Sequence, residues 1–592
     1  MVLLPIRRFL ADLLIAVLTV TLVMGWPIPV AAAMVASPVL LTDPFLQLPT
    51  EDSVRVVWFT EFAGSRHSVS FGEGFQQIAV ATTTRLSRVR EDGDSKVIPA
   101  CEQLCDRPIW RHEAVVTGLL SGQRLPYRVT SVREDGLAVT SDEFSLAAKP
   151  AAGTPLKILL TSDHQLKPMV SANLQKVVET VGQVDAVWFA GDLVNIPDRA
   201  SDWFDDAEGG AFFPALQGKA HYDLKKKGIQ TRYRGGALIQ SAPLYTAIGN
   251  HEVMGRFSQE KSLDAQFDDA VPLAVAEQVY EEKAAYLNPD QDAATRATWL
   301  KNNSFNVSTY EEIFSLPENP SGDKKYYAVT FGDTRLVVLF ITNMWRSPNL
   351  SAETKGTYRE RQQDFNHPDR WGYGQHIFGQ IAPGTPQYTW LQEELNCPEF
   401  QQAKYKVVMF HHPPHSLGGN VVPAYTEPVQ VIERSSAGQI TAIRYEYPLQ
   451  EDMIIRHVVP LLEAAGVQLV FFGHSHLWNR FVSPTGLHFL ESSNVGNSYG
   501  AHLGKNRRPV PTGFRETYAA IGDPNGLEPV VPTLAPLRDQ AGQPLPYIAS
   551  NDITVFSIFD TATGTVRSYR YDTREPDSPV ILFDEFSVVR PT

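Results

Sequence analysis

The 592-residue sequence is poor in cysteine and in positive charge. It contains three cysteines, too few for a disulfide-rich scaffold. Its 52 Lys and Arg residues are outnumbered by 66 Asp and Glu residues, which gives a formal net charge of −14. A nucleic-acid partner is not expected, because binding to a phosphate backbone requires a basic surface. A small phosphorylated substrate is not excluded, since bound metal ions can supply positive charge locally.

Long apolar runs are absent after the N-terminal segment. Arg7 and Arg8 precede an apolar stretch over residues 9–23, and small residues follow at 29–33. This order predicts a signal peptide over residues 1–33. The alternative is an uncleaved membrane anchor, because the stretch is nearly long enough to span a bilayer. Both interpretations place the rest of the chain outside the cytoplasm, in the periplasm or the medium, with no other membrane contact expected.

Two of the three cysteines lie close together in the sequence. Cys101 and Cys105 are four residues apart in a segment rich in turn-forming residues. In an oxidising compartment they would close a small disulfide loop. The alternative is half of a zinc site, although no second pair of Cys or His residues lies nearby to complete it. Cys397 is then left as a single thiol.

The first part of the chain has the pattern of a small antiparallel β-sandwich. Short alternating segments occur at 53–60, 112–119 and 125–131, with turn-forming residues between them. Strands at this spacing over about a hundred residues are typical of a sandwich, which we expect over residues 40–148. The segment KPAAGTP after it is rich in Pro and Gly and predicts a linker.

From residue 155 to residue 592 the pattern is different. Apolar runs bounded by turns alternate with helical stretches, which indicates a largely buried sheet with helices on its faces. Only the polar, helix-prone segment 252–326 has no assigned place in this arrangement. The sequence therefore predicts an α/β (α+β) protein, in which a sandwich precedes a larger domain.

Five of the apolar runs end in side chains that bind metal ions or phosphate. The carboxyl ends of buried strands are where ligands bind in such sheets. Carboxylate, amide and imidazole donors without a thiolate suit Mn, Fe or Zn better than Ca. Six donors exceed what one tetrahedral zinc uses, so two metal ions that share one carboxylate are expected. The candidate donors are Asp163, Asp192, Asn250 or His251, His411 or His412, His474 and His476.

The order of these motifs resembles that of the calcineurin-like metallophosphoesterases. The stretches KYYAVTFGDTRLVVLFI and QYTWLQEEL look like segments of the purple acid phosphatase branch, and residues 40–148 resemble the fibronectin type III-like domain found ahead of such enzymes. The resemblance implies a four-layer α/β/β/α domain after the sandwich. The motifs are Asp163-His164-Gln165, Gly191-Asp192, Gly249-Asn250-His251-Glu252, His411-His412-Pro413 and Gly473-His474-Ser475-His476.

The resemblance also implies a role for each motif residue. Asp192 would bridge the two metal ions, and His251 would give a proton or hydrogen bond to the leaving oxygen. His412 would contact the substrate or the metal ligands. The first ion would be completed by Asp163 and His476, and the second by Asn250, His411 and His474.

Two positions depart from the family pattern. Asn195 stands where purple acid phosphatases carry the tyrosine that gives them their colour, so no purple absorption band is expected. Gln165 stands where many members carry a histidine, and an amide oxygen is the weaker donor. We assign both residues, like His412, as substrate contacts or as residues just outside the metal ligands.

The resulting prediction is an exported phosphoesterase with two metal ions, in which a metal-bridging hydroxide attacks phosphate mono- or diesters. The alternative is a non-catalytic protein that binds phosphate or another ligand on the same fold, a hypothesis favoured by Gln165. The sequence leaves open the natural substrate, the metal pair and the oligomeric state.

Overall fold

A computed structural model describes residues 37–269, 271–346, 357–421, 425–508 and 520–589. The predicted signal peptide, residues 1–33, lies outside the described residues. Within these ranges, the helices are all too short or too polar to cross a membrane.

Eleven strands lie between residues 45 and 147 of the described chain. They are β1 (Phe45–Gln47), β2 (Ser53–Thr60), β3 (Arg66–Phe71), β4 (Gln77–Val80), β5 (Thr82–Arg85), β6 (Arg90–Glu91), β7 (Cys105–Asp106), β8 (Trp110–Thr117), β9 (Arg124–Val132), β10 (Ala138–Thr140) and β11 (Phe144–Ala147).

Nine of these strands form the β-sandwich that the alternating pattern predicts, and β6 pairs separately with β7. One antiparallel sheet has the order β1-β2-β8-β5, and the other has the order β10-β9-β3-β4, with β11 paired to β9. Val54, Val56 and Trp58 of β2 alternate into the core between the sheets, where they meet Tyr127 and Val129 of β9. The predicted strand 53–60 coincides with β2, and the arrangement fits a fibronectin type III-like domain.

Nineteen further strands follow in the described chain. They are β12 (Lys157–Thr161), β13 (Ala186–Phe189), β14 (Tyr222–Lys226), β15 (Ile229–Tyr233), β16 (Leu244–Thr246), β17 (Tyr327–Phe331), β18 (Thr334–Val338), β19 (Thr342–Trp345), β20 (His376–Phe378), β21 (Tyr405–Met409), β22 (Val429–Arg434), β23 (Ile440–Glu446), β24 (Leu469–Phe472), β25 (Trp478–Val482), β26 (His488–Ser492), β27 (Tyr547–Ile548), β28 (Ile553–Asp560), β29 (Thr565–Asp572) and β30 (Ile581–Ser587).

The α-helices of the described chain all follow β12. They are α1 (Val170–Val181), α2 (Ala200–Phe204), α3 (Phe212–Leu216), α4 (Leu263–Phe267), α5 (Leu273–Leu287), α6 (Ala293–Asn303), α7 (Ser308–Ile313), α8 (Pro386–Asn396), α9 (Pro398–Gln402) and α10 (Val459–Ala464). The polar segment 252–326 contains α4 to α7, as its helix-prone composition predicts.

Two mixed sheets form the centre of the larger domain. The six-stranded sheet has the order β16-β13-β12-β28-β29-β30, in which β16, β13 and β12 are parallel. The seven-stranded sheet has the order β17-β18-β21-β24-β26-β25-β27, in which β18, β21, β24 and β26 are parallel. The parallel strands form one side of the six-stranded sheet and the centre of the seven-stranded sheet, and within each set the carboxyl ends lie at one edge.

The packing of β21 shows how these sheets are layered. Val407 and Met409 point into a core shared with the six-stranded sheet, whereas Val408 and Phe410 point into a second core. That second core contains Leu391 of α8. The seven-stranded sheet is therefore covered by a sheet on one face and by helices on the other. With α1 in the shared core beside β12, this confirms the predicted four-layer α/β/β/α domain.

The sandwich and the larger domain share part of one hydrophobic core. Phe45 and Phe59 of the sandwich pack against Phe213, with ring centroids 5.1 and 5.5 Å apart, and all three are buried. The backbone N–H of Leu46 donates to the carbonyl of Ile239 at 3.0 Å. Near this junction Cys101 and Cys105 form a disulfide bond, which confirms that prediction over the zinc alternative.

Candidate metal centre

The predicted ligands follow strands that end at the same edge of the two sheets. Asp163 follows β12 and Asp192 follows β13, and the Asp163 N–H donates to the Gly191 carbonyl at 3.0 Å. In the other sheet, the Gly473 N–H donates to the His411 carbonyl at 3.1 Å and joins the ends of β21 and β24. The parallel register of the central strands therefore brings distant parts of the sequence to one place.

Five of the six predicted ligands form two groups that share one carboxylate. Asp192, His411 and His474 offer ligand atoms within 4.8 Å of one another, and so do Asp163, Asp192 and His476. All five side chains are buried. The sixth residue, Asn250, lies beside the first group with its Oδ1 3.2 Å from His411 Nε2. The structure thus assembles the predicted set around Asp192, although the ligand roles stay predictions.

The carboxylate and imidazole atoms of the predicted ligands are arranged better for binding metal ions than for binding one another. Asp163 Oδ1 is buried and has no hydrogen-bond partner, a costly state for a carboxylate oxygen. It lies 3.2 Å from His476 Nε2, and Asp192 Oδ2 lies 3.2 Å from His411 Nε2. Carboxylate and imidazole donors that converge in this way are the set expected for Mn, Fe or Zn.

The pKa shifts of the buried pair Asp192 and His411 also favour a bound cation. Burial opposes protonation of His411, but the Asp192 carboxylate beside it raises its pKa to about 10. Burial likewise opposes ionisation of Asp192, while His411 and His251 lower its pKa below the usual range. The site therefore stabilises positive charge next to Asp192, and a metal ion can take the place of the proton.

The backbone at the ligands is held in an uncommon conformation. Asp163, Asp192, His474 and His476 have φ values of 57°, 58°, 80° and 56°, in the left-handed region. Such residues cost about 1 to 3 kcal/mol each and cluster at functional sites. Gly249 is required nearby, because a Cβ there would collide with the Asp192 carboxylate.

Two buried glutamates hold the ligand loops, and the sequence analysis assigned neither a role. Glu252 accepts hydrogen bonds from the backbone N–H groups of Gly249, Asp192 and Leu193 at 2.7, 2.9 and 2.7 Å. Glu491 accepts one from the Ser475 N–H at 2.7 Å, between the last two histidines. The one signal for Glu491 in the sequence is a charged residue inside the apolar strand β26, where carboxylates are rare.

The two positions that depart from the family pattern lie next to the predicted ligands. Gln165 Nε2 donates to Asp192 Oδ2 at 2.8 Å, while its Oε1 accepts from Asn497 Nδ2 at 3.3 Å. The Asn195 carbonyl lies 2.7 Å from His251 Nδ1. Gln165 thus presents its nitrogen to the shared carboxylate in this structure. His412 is buried against Phe378, with ring centroids 4.9 Å apart.

His251 is positioned by its backbone as well as by its ring. Its N–H donates to Asp192 Oδ1 at 2.9 Å, and its ring lies 5.2 Å from that of Phe267. Because Nδ1 is bound to the Asn195 carbonyl, Nε2 is the ring nitrogen that remains available for another contact. Arg346, which the sequence analysis missed, braces this segment by donating to the carbonyls of Asn250, Val253 and Phe267.

Comparison with solved structures relates the fold to purple acid phosphatases. Purple acid phosphatase PPD1 from yellow lupin (Lupinus luteus) seeds is 13% identical, covers 93% of this chain and 74% of its own, and has a TM-score of 0.52. GAP50, described as the anchor in the inner membrane complex of Plasmodium, is 9% identical, covers 73% of this chain and 89% of its own, and has a TM-score of 0.30, too low to support an argument. Among curated proteins, none matches the sequence.

The family relationship comes from the sequence of the larger domain. A model of the calcineurin-like phosphoesterase family matches residues 156–477, more than half of the chain. The matched range contains all six predicted ligands, including the shared carboxylate Asp192. The chain belongs to the calcineurin-like phosphoesterase family.

Proposed function

We propose that this protein hydrolyses phosphate mono- or diesters outside the cytoplasm with the aid of two metal ions. The observation that carries the proposal is the position of Asp192, which contributes an oxygen to both buried groups of ligand atoms. A carboxylate placed between two such groups is the arrangement that two-metal hydrolases use.

The described side chains suggest how the two ions would be held. Asp163, Asp192 and His476 would hold one ion, and Asp192 would reach the other together with Asn250, His411 and His474. The donors favour Mn, Fe or Zn. When bound, such ions lower the pKa of a water molecule and offset the charge on phosphate oxygens.

The remaining steps are assigned to residues of the chain itself. His251, fixed through Nδ1, would present Nε2 to the leaving oxygen and donate a proton or a hydrogen bond to it. Gln165 would hold Asp192 in place through its 2.8 Å hydrogen bond. His412 and Asn195 would contact the substrate or lie just outside the metal ligands.

Export is part of the proposal and has separate support. Arginines followed by an apolar run and an A-x-A pattern are typical of a signal peptide. The Cys101–Cys105 disulfide bond is consistent with an oxidising compartment.

The direct test is turnover by the purified full-length chain. Metal analysis of the protein as isolated would be followed by assays with p-nitrophenyl phosphate and its bis ester in Mn²⁺ or Zn²⁺. We expect hydrolysis that chelation abolishes. Folded protein that holds metal ions but turns over neither ester would instead favour the non-catalytic binding protein.

A pair of histidine variants tests the assignment of His251. His251→Asn should lower kcat about 10²- to 10⁴-fold with unchanged metal content, because general acid catalysis contributes about that much. The matched control is His457→Asn, since His457 is half-buried beside Tyr388 and away from the metal centre. Equal activity of the two variants would show that His251 takes no part in the reaction.

A further inference from the structure

Lys167 is a half-buried cation at the candidate metal centre that the proposed reaction leaves without a role. It lies in the turn between β12 and α1, where its N–H donates to the His164 carbonyl at 2.7 Å. Its Nζ donates to Asn195 Oδ1 at 2.9 Å. A neutral amide oxygen accepts this hydrogen bond but does not balance the charge of an ammonium group.

The negative charge that balances Lys167 belongs to the predicted metal ligands. Burial lowers the pKa of Lys167, whereas the carboxylates of Asp192, Asp202 and Asp163 raise it. Two of these three carboxylates are the ones that would bind metal ions. Once ions are bound, their charge offsets Asp163 and Asp192, and Lys167 loses most of its anionic surroundings. An anionic ligand would restore the balance.

Lys167 also lies on the same side of the centre as His251. Both side chains bind Asn195, Lys167 through the side-chain oxygen and His251 through the carbonyl at 2.7 Å. A phosphate ester whose leaving oxygen meets His251 would therefore lie beside the Lys167 ammonium.

Other cationic side chains near this segment have structural partners. Arg346 donates to three backbone carbonyls beneath the centre. Arg256 pairs with Asp269 through two hydrogen bonds at 3.1 and 2.9 Å. Neither arginine is placed to exchange its partners for a substrate without loosening the segment that carries His251.

We propose that Lys167 binds a non-bridging oxygen of the substrate phosphate and so favours dianionic monoesters over monoanionic diesters. The inference rests on the proposed function and specifies the substrate class of that site. A phosphate monoester carries close to two negative charges well above its second ionisation near pH 6, whereas a diester carries one. A single ammonium group discriminates between the two esters because it interacts more strongly with the additional negative charge of the monoester.

The test compares Lys167→Met with a matched surface variant, Lys226→Met. Lys226 of hairpin β14–β15 donates to Asp552 Oδ1 at 2.9 Å, so its replacement removes a lysine hydrogen bond elsewhere in the chain. At pH 8, Lys167→Met should lower kcat/KM for p-nitrophenyl phosphate about 10- to 100-fold, the value of a hydrogen bond to a charged group. The bis ester should stay within about threefold. Lys167→Arg should retain the preference, and Lys226→Met should resemble the native protein.

A second readout does not depend on turnover. Calorimetric titration of the metal-loaded protein with inorganic phosphate should show weaker binding by Lys167→Met, by about 10-fold or more, at unchanged metal content. Equal losses for both esters, unchanged phosphate affinity, or loss of metal from the variant would each overturn the inference. If the native protein turns over neither ester, the proposed function fails, and phosphate titration still decides the role of Lys167.

Discussion

The protein buries two clusters of histidines, and they differ in the partners that surround them. In the sandwich, His67 and His112 stack with ring centroids 3.6 Å apart. Their nitrogens are hydrogen-bonded to neutral groups, among them the hydroxyls of Ser131 and Thr60 at 2.8 Å. At the candidate metal centre, His411 and His476 instead lie 3.2 Å from carboxylate oxygens.

The difference shows that burial alone does not make a histidine cluster a metal site. Hydroxyl and carbonyl groups satisfy both nitrogens of a neutral imidazole, so neither nitrogen is left to bind a metal ion. A carboxylate such as Asp163, with one buried oxygen that accepts no hydrogen bond, favours a cation beside it. The two clusters can therefore be told apart by changing the carboxylates, the outer hydrogen bonds or the pH.

The largest effect is expected from removing the shared carboxylate. Asp192→Asn should leave at most one metal ion per chain and lower kcat by more than about 100-fold, since even outer hydrogen-bond partners of a metal site are worth 10- to 100-fold. Metal analysis and ester hydrolysis measure both effects. Asp185→Asn is the control, because Asp185 accepts from the Lys157 N–H at the opposite end of β12. Two full equivalents of metal in Asp192→Asn would refute the shared-ligand arrangement.

A smaller effect is expected from Gln165, which touches the cluster only through a hydrogen bond. Gln165→Ala removes the 2.8 Å bond to Asp192 Oδ2 and should weaken metal affinity about 10- to 100-fold. The loss should appear in a titration of the metal-free protein with Mn²⁺. Unchanged affinity would mean that Asp192 is held in place without Gln165.

The smallest effect concerns the sandwich cluster and depends on pH. Burial, with the charges of His67 and Arg111, lowers the pKa of His112 to about 3, and burial lowers that of His67 despite the nearby Glu134. The unfolded value is about 6.5, so the stabilising contribution is complete above it and is lost as the pH falls. At pH 5 the loss from His112 is about 2 kcal/mol.

Urea unfolding at pH 7.5 and pH 5 measures this loss. His112→Asn should have a flatter dependence on pH than the native protein, even if it is less stable at both values. Metal-free protein is the suitable sample, because bound ions would add their own pH dependence. Parallel curves for the variant and the native protein would assign the acid sensitivity to other groups.

The sequence predicted the parts of the molecule that depend on regular patterns. Alternation identified β2, and the apolar runs before Asp163 and His474 predicted buried strands with ligands at their ends. Parallel strands carry such residues to one edge, so their convergence followed from the strand order. The choice of the six predicted ligands among the donors at these strand ends came from the resemblance to the metallophosphoesterases.

The parts that the sequence did not predict depend on contacts between distant loops. Glu491 is important because the Ser475 N–H points at it, and no local pattern marks that bond. Arg346, directly after β19, supports the segment of His251 from about 90 residues further along the sequence. No sequence motif includes Lys167, whose role follows from its contact with Asn195 and from the nearby carboxylates. Such roles are set by tertiary packing.

The aromatic junction between the sandwich and the larger domain has a consequence for how this protein can be divided. Val39–Thr592 is one compact unit, and Phe45 and Phe59 are part of its largest core. Cutting the chain near residue 150 would expose these rings on one fragment and Phe213 on the other. The sandwich is thus expected to melt together with the larger domain and to behave poorly as a transplanted module.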